Sequence, residues 1–260
     1  MTTDEVKLDV DKWVADLIED HNEVVKSRAF GPFVQRWFAL PDAKFSFTHD
    51  AVGLDRAMLL WRHLLPAGTG EQAPRRVEQW PYKIEDQRVF TVRALERGGE
   101  SRPGDPTAGG GPRTLYGYQE TQFDDHQLIS EMVILSAPQK PDVEIDPELA
   151  KTRQGRIFGQ FADVFNEYFV SGNAELLAPW CAENLRMIIN DTYYGMAAAA
   201  PFNRLAPSIR WELRGIERQN GRIKVELYLY DWGGLDMPCH WDIDATDDGK
   251  LREFLVTVDV

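Results

Sequence analysis

Two stretches of the chain share one pattern, DAKFSFTH at positions 42–49 and NLRMIIND at positions 184–191. In the first stretch two phenylalanines alternate with polar side chains, which is typical of a β-strand that is buried on one face. A glycine follows each stretch after the same interval, Gly53 in one case and Gly195 in the other. Because a repeated order of elements is characteristic of a duplicated domain, the pattern predicts two copies of one small fold.

The remainder of the two halves agrees in order, although few residues are identical. The corresponding positions are Trp37 and Trp180, 73–74 and 206–207, 84–85 and 216–217, and 125–133 and 248–256. We therefore predict one domain over 1–138 and a second over 139–260, each close to the common size of a folded domain. The segment 137–147, rich in proline and charge, is the predicted linker.

The amino-acid composition limits which classes of binding partner are expected. The 260 residues carry a net charge of -13. Such a surface repels phosphate backbones and anionic lipids, so nucleic acid and membranes are not expected partners. The acidic first five residues do not resemble a secretory signal, and no apolar run reaches the about 20 residues that cross a bilayer. Cys181 and Cys239 are too few for a disulfide framework, so we expect a cytoplasmic protein.

Hydrophobic periodicity predicts a similar series of elements in each half. Helices are predicted over 10–25, 30–40, 54–65, 157–169 and 197–200. Strands are predicted over 45–48, 75–84, 87–96, 113–123, 127–136, 187–190, 209–218, 222–232, 239–245 and 251–260. Asn220-Gly221 is a typical two-residue hairpin turn, and the segment 98–112, rich in glycine and proline, is predicted to be a mobile hairpin loop or a lid. This order indicates an α+β fold in which helices cover one face of a curved antiparallel sheet and enclose a cavity.

The stretch FSFTHDAVGLDRAMLLW at positions 45–61 resembles the strand, glycine and following helix of the NTF2-like superfamily, and the pattern recurs at 187–200. The resemblance is to SnoaL-like, ketosteroid-isomerase-like and scytalone-dehydratase-like members. It implies two tandem NTF2-like cone-shaped domains, each a curved antiparallel sheet wrapped on helices. It also implies an intramolecular pseudo-dimer of the two copies, with room for further homo-oligomers. Such families include cyclases, dehydratases and isomerases, together with members that only bind a ligand.

A cavity that holds a base and a hydrogen-bond donor suits proton transfer beside a carbonyl. His49 and Asp50 end the first repeated strand, and Asp191 occupies the matching place in the second copy. We treat all three as catalytic candidates. The alternative is that His49 and Asp50 cap the helix that begins near Gly53.

Further catalytic candidates, His240 and Asp242, share one face of a strand in the second copy. Asp244 lies on the same face, so the alternative is that this face is solvated and that Trp241 points inward. Tyr116, Tyr118 and Glu120 share a face of the strand that corresponds to it in the first copy. The residues expected to line a substrate pocket are Trp80, Tyr82, Tyr116, Tyr118, Glu120, Tyr193, Tyr194 and Trp241. The alternative for the tyrosines is plain packing with a satisfied hydroxyl.

The chain lacks a GxSxG nucleophile elbow, a phosphate-binding GxxxxGK[ST] loop, a GxGxxG motif after a strand, and clusters at metal-ligand spacing. We therefore expect neither a cofactor nor a metal. The predicted function is that of a cofactor-independent isomerase, cyclase or dehydratase, which acts by general acid/base chemistry on an apolar, oxygenated small molecule such as a polyketide- or terpenoid-like intermediate. The alternative is a non-catalytic small-molecule-binding or scaffold protein. Because the two copies keep different polar residues, one working pocket is favoured over two.

Overall fold

The computed structural model describes residues 9–64, 74–97, 113–137, 139–199, 208–232 and 234–260. The helices are α1 Val10–Ser27, α2 Phe30–Trp37, α3 Leu54–Leu64 and α4 Arg153–Ser171. The strands are β1 Lys44–Val52, β2 Pro74–Glu85, β3 Arg88–Arg97, β4 Arg113–Phe123, β5 Ile129–Ala137, β6 Cys181–Tyr194, β7 Arg210–Gln219, β8 Arg222–Trp232, β9 Leu235–Ala245 and β10 Leu251–Asp259. The four long helices and the ten strands predicted from periodicity are confirmed, with shifted ends.

Local signals explain where the longest helices begin and end. The Asp9 side chain accepts a hydrogen bond from the Lys12 amide at the start of α1, and the Thr152 hydroxyl accepts one from the Gly155 amide at the start of α4. The helix α4 ends at Gly172, whose φ of 69° favours glycine. None of the helices in the described ranges is both long and apolar enough to cross a membrane.

Two predicted local features differ in outcome. The turn at Asn220-Gly221 is confirmed, since both residues have positive φ angles, 53° and 79°. In place of the start of the predicted helix over 197–200 there is a 3-10 turn, Gly195–Ala198, that directly follows β6; Ala199 is α-helical, and residue 200 lies outside the described residues. The predicted loop or lid over 98–112 lies outside the described residues.

The predicted fold of two NTF2-like cones, each with its own antiparallel sheet wrapped on helices, is wrong. The strands form one ten-stranded sheet in the order β2-β3-β4-β5-β6-β1-β10-β9-β8-β7. It is a mixed sheet, because β5 and β6 run parallel, with Met132 opposite Met187. Periodicity along the chain determines which residues of a strand are buried, but it does not determine which strand lies beside which. The repeat therefore predicted the elements and not their pairing.

Contacts divide the chain into two compact units that are not the two halves of the sequence. Unit 1 combines the residues up to Thr48 with Tyr193–Asp259, and unit 2 runs from His49 to Thr192 and includes Val260. Unit 2 thus continues across the predicted domain boundary beside Pro138, a residue outside the described ranges. The predicted linker contains no helix or strand over 139–146 and is followed by a 3-10 turn, Pro147–Lys151.

Unit 1 has an aromatic core. The helix α1 packs on β7, where the Asn22 side chain exchanges hydrogen bonds of 2.8 and 2.9 Å with the backbone of Trp211. His21 is 1% exposed, and its ring centroid lies 4.2 Å from that of Trp211 and 5.5 Å from that of Trp241. The core of unit 1 is therefore filled by large rings, with His21 among them as a core residue.

Unit 2 packs α4 against β2 and β3. Three phenylalanines on one face of α4 are almost fully buried: Phe158, Phe161 and Phe165. The Asn166 side chain accepts a 2.8 Å hydrogen bond from the Val77 amide, and the Tyr168 hydroxyl donates one of 2.7 Å to the Trp61 carbonyl in α3. These bonds fix the helices over the sheet face that carries the polar residues described next.

Candidate functional site

A buried arginine lies on the sheet face that α4 covers in unit 2. Arg93 follows Val89 and Thr91 at intervals of two along β3, and all three are buried. The Arg93 side chain is 8% exposed, and its guanidinium carbon lies 5.8 Å from the centroid of the Phe165 ring. Within the described part of the chain, this guanidinium makes no hydrogen bond and no ion pair. A charged group in that position is costly unless something pairs with it.

Two glutamines adjoin Arg93, of which Gln119 is buried and Gln79 is half-buried. Gln79 in β2 is directly opposite Arg93, and Gln119 in β4 is opposite Thr91, so all of these side chains share one face. Gln119 is 1% exposed; its Nε2 donates a 3.0 Å hydrogen bond to the Thr121 hydroxyl, and its Oε1 has no hydrogen-bond partner among the described residues. Both amide atoms of Gln79 are also buried and lack a partner there. Buried polar atoms without partners are rare in folded proteins and call for an explanation.

A carboxylate completes this group. Asp191 follows Leu185, Met187 and Ile189 at intervals of two in β6, and the first two are fully buried. Burial lowers the pKa of Arg93 to about 10, while the charge of Asp191 acts in the opposite direction. Arg93 is therefore charged at neutral pH, within electrostatic range of a carboxylate to which it is not hydrogen-bonded. We call Gln79, Arg93, Gln119 and Asp191 the polar cluster.

A glycine makes room for Arg93. A Cβ atom added to Gly117 in β4 would lie 2.5 Å from the Leu135 carbonyl oxygen and 3.4 Å from Cγ of Arg93. The first distance is shorter than any normal contact, and the second is tight. The Arg93 stem therefore lies beside Gly117, its neighbour across the strand pair, at a position where only glycine fits the present backbone.

Tyr168 bounds the cluster from α4. It interacts electrostatically with Arg93, and burial raises the pKa of its phenol. Because its hydroxyl proton is donated to the Trp61 carbonyl, Tyr168 is a structural neighbour of the cluster rather than its proton donor.

Two adjacent candidates from the first repeated strand have different surroundings. His49 is 6% exposed, and burial lowers its pKa to about 4, so the imidazole is neutral at pH 7. Asp50 accepts two hydrogen bonds from the Arg186 guanidinium, at 2.9 and 3.3 Å, beside an exposed part of β6. Successive residues of a strand point to opposite faces, so these two side chains are not brought together.

The candidates on β9 lie on the exposed face of unit 1. His240 is exposed, and its Nε2 lies at the hydrogen-bond distance of 2.9 Å from a carboxylate oxygen of Asp259. Asp242 forms ion pairs with Arg222 and Lys224, and a further pair of 2.8 Å joins Arg222 to Glu253. This face carries a network of partly exposed charges. It belongs to unit 1, whereas the residues of the polar cluster belong to unit 2.

Most of the aromatic candidates in unit 2 lie on the face opposite the polar cluster. The Tyr82 ring is 6.3 Å from the rings of Phe90 and Tyr118, and Trp80 precedes Tyr82 by two residues on the same face. Glu120 forms an ion pair with Arg88. Tyr116 precedes Tyr118 by two residues and therefore shares this face. These side chains share the face of β2, β3 and β4 that is opposite the polar cluster, where Tyr82 packs on Tyr118.

The remaining candidates belong to unit 1. Trp241 is 1% exposed, and its ring lies 4.9 Å from that of Phe254. Tyr193 packs 6.4 Å from Phe45, while Tyr194 is 52% exposed. Trp241 is thus part of a filled core, as the solvated-face alternative for its strand predicted.

Of the residues proposed from sequence, the structure places only Asp191 in the polar cluster. Arg93, Gln79 and Gln119 were not recognised from the sequence. The available signal was a pair of polar residues at an interval of two in each of two neighbouring strands, Thr91 with Arg93 and Gln119 with Thr121. Among the described residues, no three His, Cys, Asp or Glu side chains are grouped closely enough to hold a metal ion.

Comparison with known proteins adds no further constraint: no protein-family model and no curated protein matches the chain. The resemblance at 45–61 stays a prediction from the order of motifs. The function has to be argued from the polar cluster itself.

Proposed function

We propose that the polar cluster of unit 2 binds a small oxygenated molecule and transfers a proton on it, as in a cofactor-independent isomerase, cyclase or dehydratase. The observation that carries the proposal is the buried Arg93 guanidinium, which has no hydrogen bond or ion pair in the described part of the chain and lies among glutamine atoms that also lack partners. A bound molecule would satisfy these groups together. Small-molecule sites typically contain such a few convergent polar groups within an apolar surround.

The charges of the cluster suit proton abstraction next to a carbonyl. Asp191 supplies a carboxylate that can accept the proton, and Arg93 supplies a fixed positive charge for the oxygen that becomes negative. The phenylalanines of α4 shield Arg93 from water, which strengthens its interaction with an anion, whereas Asp191 is partly exposed. Asp191 and Arg93 are the proposed catalytic residues, and the glutamines orient the substrate.

A second function, binding without catalysis, is favoured by one observation. The Tyr168 hydroxyl is committed to the Trp61 carbonyl and cannot readily return a proton to a substrate. A binding protein needs no proton donor. The two functions differ in whether bound molecules exchange protons.

Exchange of α-protons with solvent tests the proposal without knowledge of the natural substrate. Proton NMR in D2O would follow the loss of α-proton signals from 2-pentanone, cyclohexanone and 4-oxopentanoate. We expect the native protein to accelerate exchange for at least one of them and Asp191→Asn to remove about 100-fold or more of that acceleration, in the range typical of a general base.

The control is Asp242→Asn, which makes the same substitution in the partly exposed charge network of unit 1. It should leave the exchange rate unchanged. Absence of acceleration by the native protein, or equal loss in both variants, would rule out proton transfer by Asp191.

A further inference from the structure

The charges of the polar cluster determine which ligand atoms can bind there. Arg93 contributes one buried positive charge, and Asp191 contributes one negative charge that is not hydrogen-bonded to it. In the described part of unit 2, no other cation is as deeply buried. The guanidinium has five N–H donors and no acceptor, so it can be satisfied only by acceptor atoms.

The donor geometry of arginine narrows the shape of that acceptor. The Phe165 ring contacts the Arg93 guanidinium and offers it no oxygen or nitrogen acceptor. The five N–H donors of a guanidinium lie in one plane as a fixed fork. A planar group with two oxygens can accept two parallel hydrogen bonds in that plane, which is the geometry that carboxylates form with arginine.

The single positive charge of the cluster disfavours a ligand group with more than one negative charge. A monoanion would pair with Arg93 and leave Asp191 as the only remaining charge. A dianion such as a phosphate monoester would add a second negative charge beside Asp191, in a buried environment with no second arginine or lysine among the described residues of the cluster. The cluster therefore favours a carboxylate over a phosphate.

The two glutamines add a second requirement, a hydrogen-bond donor on the ligand. The Oε1 atoms of Gln79 and Gln119 are acceptors without partners among the described residues. A ligand that contains only acceptors would leave both unsatisfied, which costs free energy for each atom. A hydroxyl on the ligand would donate to one of them.

We propose that the molecule bound in the polar cluster is a hydroxy acid, whose carboxylate pairs with Arg93 and whose hydroxyl donates to Gln79 or Gln119. This inference names the substrate class of the site and rests on the part of the proposed function that places a small molecule there.

The test compares acids with neutral molecules of the same shape. The probes are 3-hydroxy carboxylates of four to ten carbons and their primary amides, which keep the hydroxyl and the planar head group but lack the charge. Binding at pH 7 would be measured by the ligand-dependent shift of the thermal unfolding midpoint and by saturation-transfer NMR. We expect at least one acid to bind tenfold or more tightly than its amide.

Two variants on β3 distinguish binding at the polar cluster from a general effect of removing a positive charge. Arg93→Met should abolish the preference for the acid. Arg88→Met, five residues away on the opposite face and paired with Glu120, should keep it. Equal binding of acids and amides, no binding of any acid, or loss of the preference in both variants would overturn the inference.

The proposed function fails separately from this inference. Arg93-dependent binding of acids without any α-proton exchange would leave the substrate class standing and remove the catalytic role of Asp191. Asp191-dependent exchange on neutral ketones, without tighter binding of acids than of their amides, would leave the catalytic role of Asp191 standing and remove the substrate class.

Discussion

The guanidinium carbon of Arg93 lies 5.8 Å from the centroid of the Phe165 ring, on the buried face of β3. The ring and the apolar residues around it remove most of the contact of the cation with water, and the carboxylate of Asp191 acts on it without a hydrogen bond. A cation–π contact of this kind is worth about 0.5–2 kcal/mol, which is less than the cost of burying an unpaired charge. Arg93 is therefore held at the expense of stability, as is common for functional groups.

Replacing Arg93 should stabilise the protein. Methionine keeps the apolar stem of the side chain and removes the unpaired charge, so Arg93→Met should raise the free energy of unfolding by about 1–3 kcal/mol. Urea denaturation measures this directly. The control, Arg88→Met, removes partly exposed ion pairs and should lower stability by at most about 1 kcal/mol. A variant Arg93→Met less stable than Arg88→Met would show that the cation is already well paired.

Gly117 should not tolerate a methyl group. In Gly117→Ala the new Cβ would lie 2.5 Å from the Leu135 carbonyl oxygen, so the strands would have to shift at a cost of about 1–3 kcal/mol. Gly159→Ala is the matched control, because no atom lies within 4 Å of its added Cβ and alanine is the better helix former by about 1 kcal/mol. Thermal and urea unfolding of the two variants should therefore differ in sign. Equal stability would contradict the close approach of β4 and β5.

The hydroxyl of Tyr168 should contribute measurably to stability. Tyr168→Phe leaves the buried Trp61 carbonyl without this donor, which should cost about 1–3 kcal/mol. Tyr230→Phe removes a hydrogen bond to Arg214 on the exposed side of β8 and should cost less than about 1 kcal/mol. Denaturant unfolding compares the two. A small effect at Tyr168 would mean that the carbonyl finds another donor.

The free energy of unfolding should decrease as the pH is lowered below neutrality, because His21 is buried in its neutral form. Burial lowers its pKa to about 3, whereas the unfolded chain binds the proton near pH 6.5. The contribution is fully present above pH 6.5, and it is lost at about 1.4 kcal/mol per pH unit as the pH falls toward the folded-state value. His49, with a pKa lowered to about 4, acts in the same direction.

Comparison of two pH values isolates this effect. Between pH 7.5 and 5.5, His21→Leu should lose about 1.4 kcal/mol less unfolding free energy than the native protein. Because the surroundings of His21 are the rings of Phe33, Trp211 and Trp241, leucine should be accommodated there. Identical pH dependence of the two proteins would contradict a neutral, desolvated His21.

The local elements could be predicted from the sequence, and the arrangement of the strands could not. The strand β8 has the predicted bounds, since alternation at intervals of two is a property of neighbouring residues. The position of β6 beside β5 depends on packing between segments distant along the chain. Two similar halves offer two sets of partners for each strand, and the residue pattern alone does not choose between them.

The site was visible only in part for a related reason. Asp191 was found because it occupies an equivalent place in the repeat. Arg93 was missed because its neighbours Val92 and Ala94, on the other face of β3, are buried as well. When both faces of a strand are covered, alternation no longer distinguishes an inward arginine from an outward one.

The division into units has a consequence for synthesis on the ribosome. Unit 2 is one continuous stretch apart from Val260, so nearly all of it has been translated before β7 begins. The helices α1 and α2 are made first, yet the strands that cover them are made last, and at roughly 5–20 residues per second this delay lasts about ten seconds or more. During that interval the apolar side chains of Trp13, Leu17 and Phe33, which are buried in the folded protein, lack the strands that are translated last.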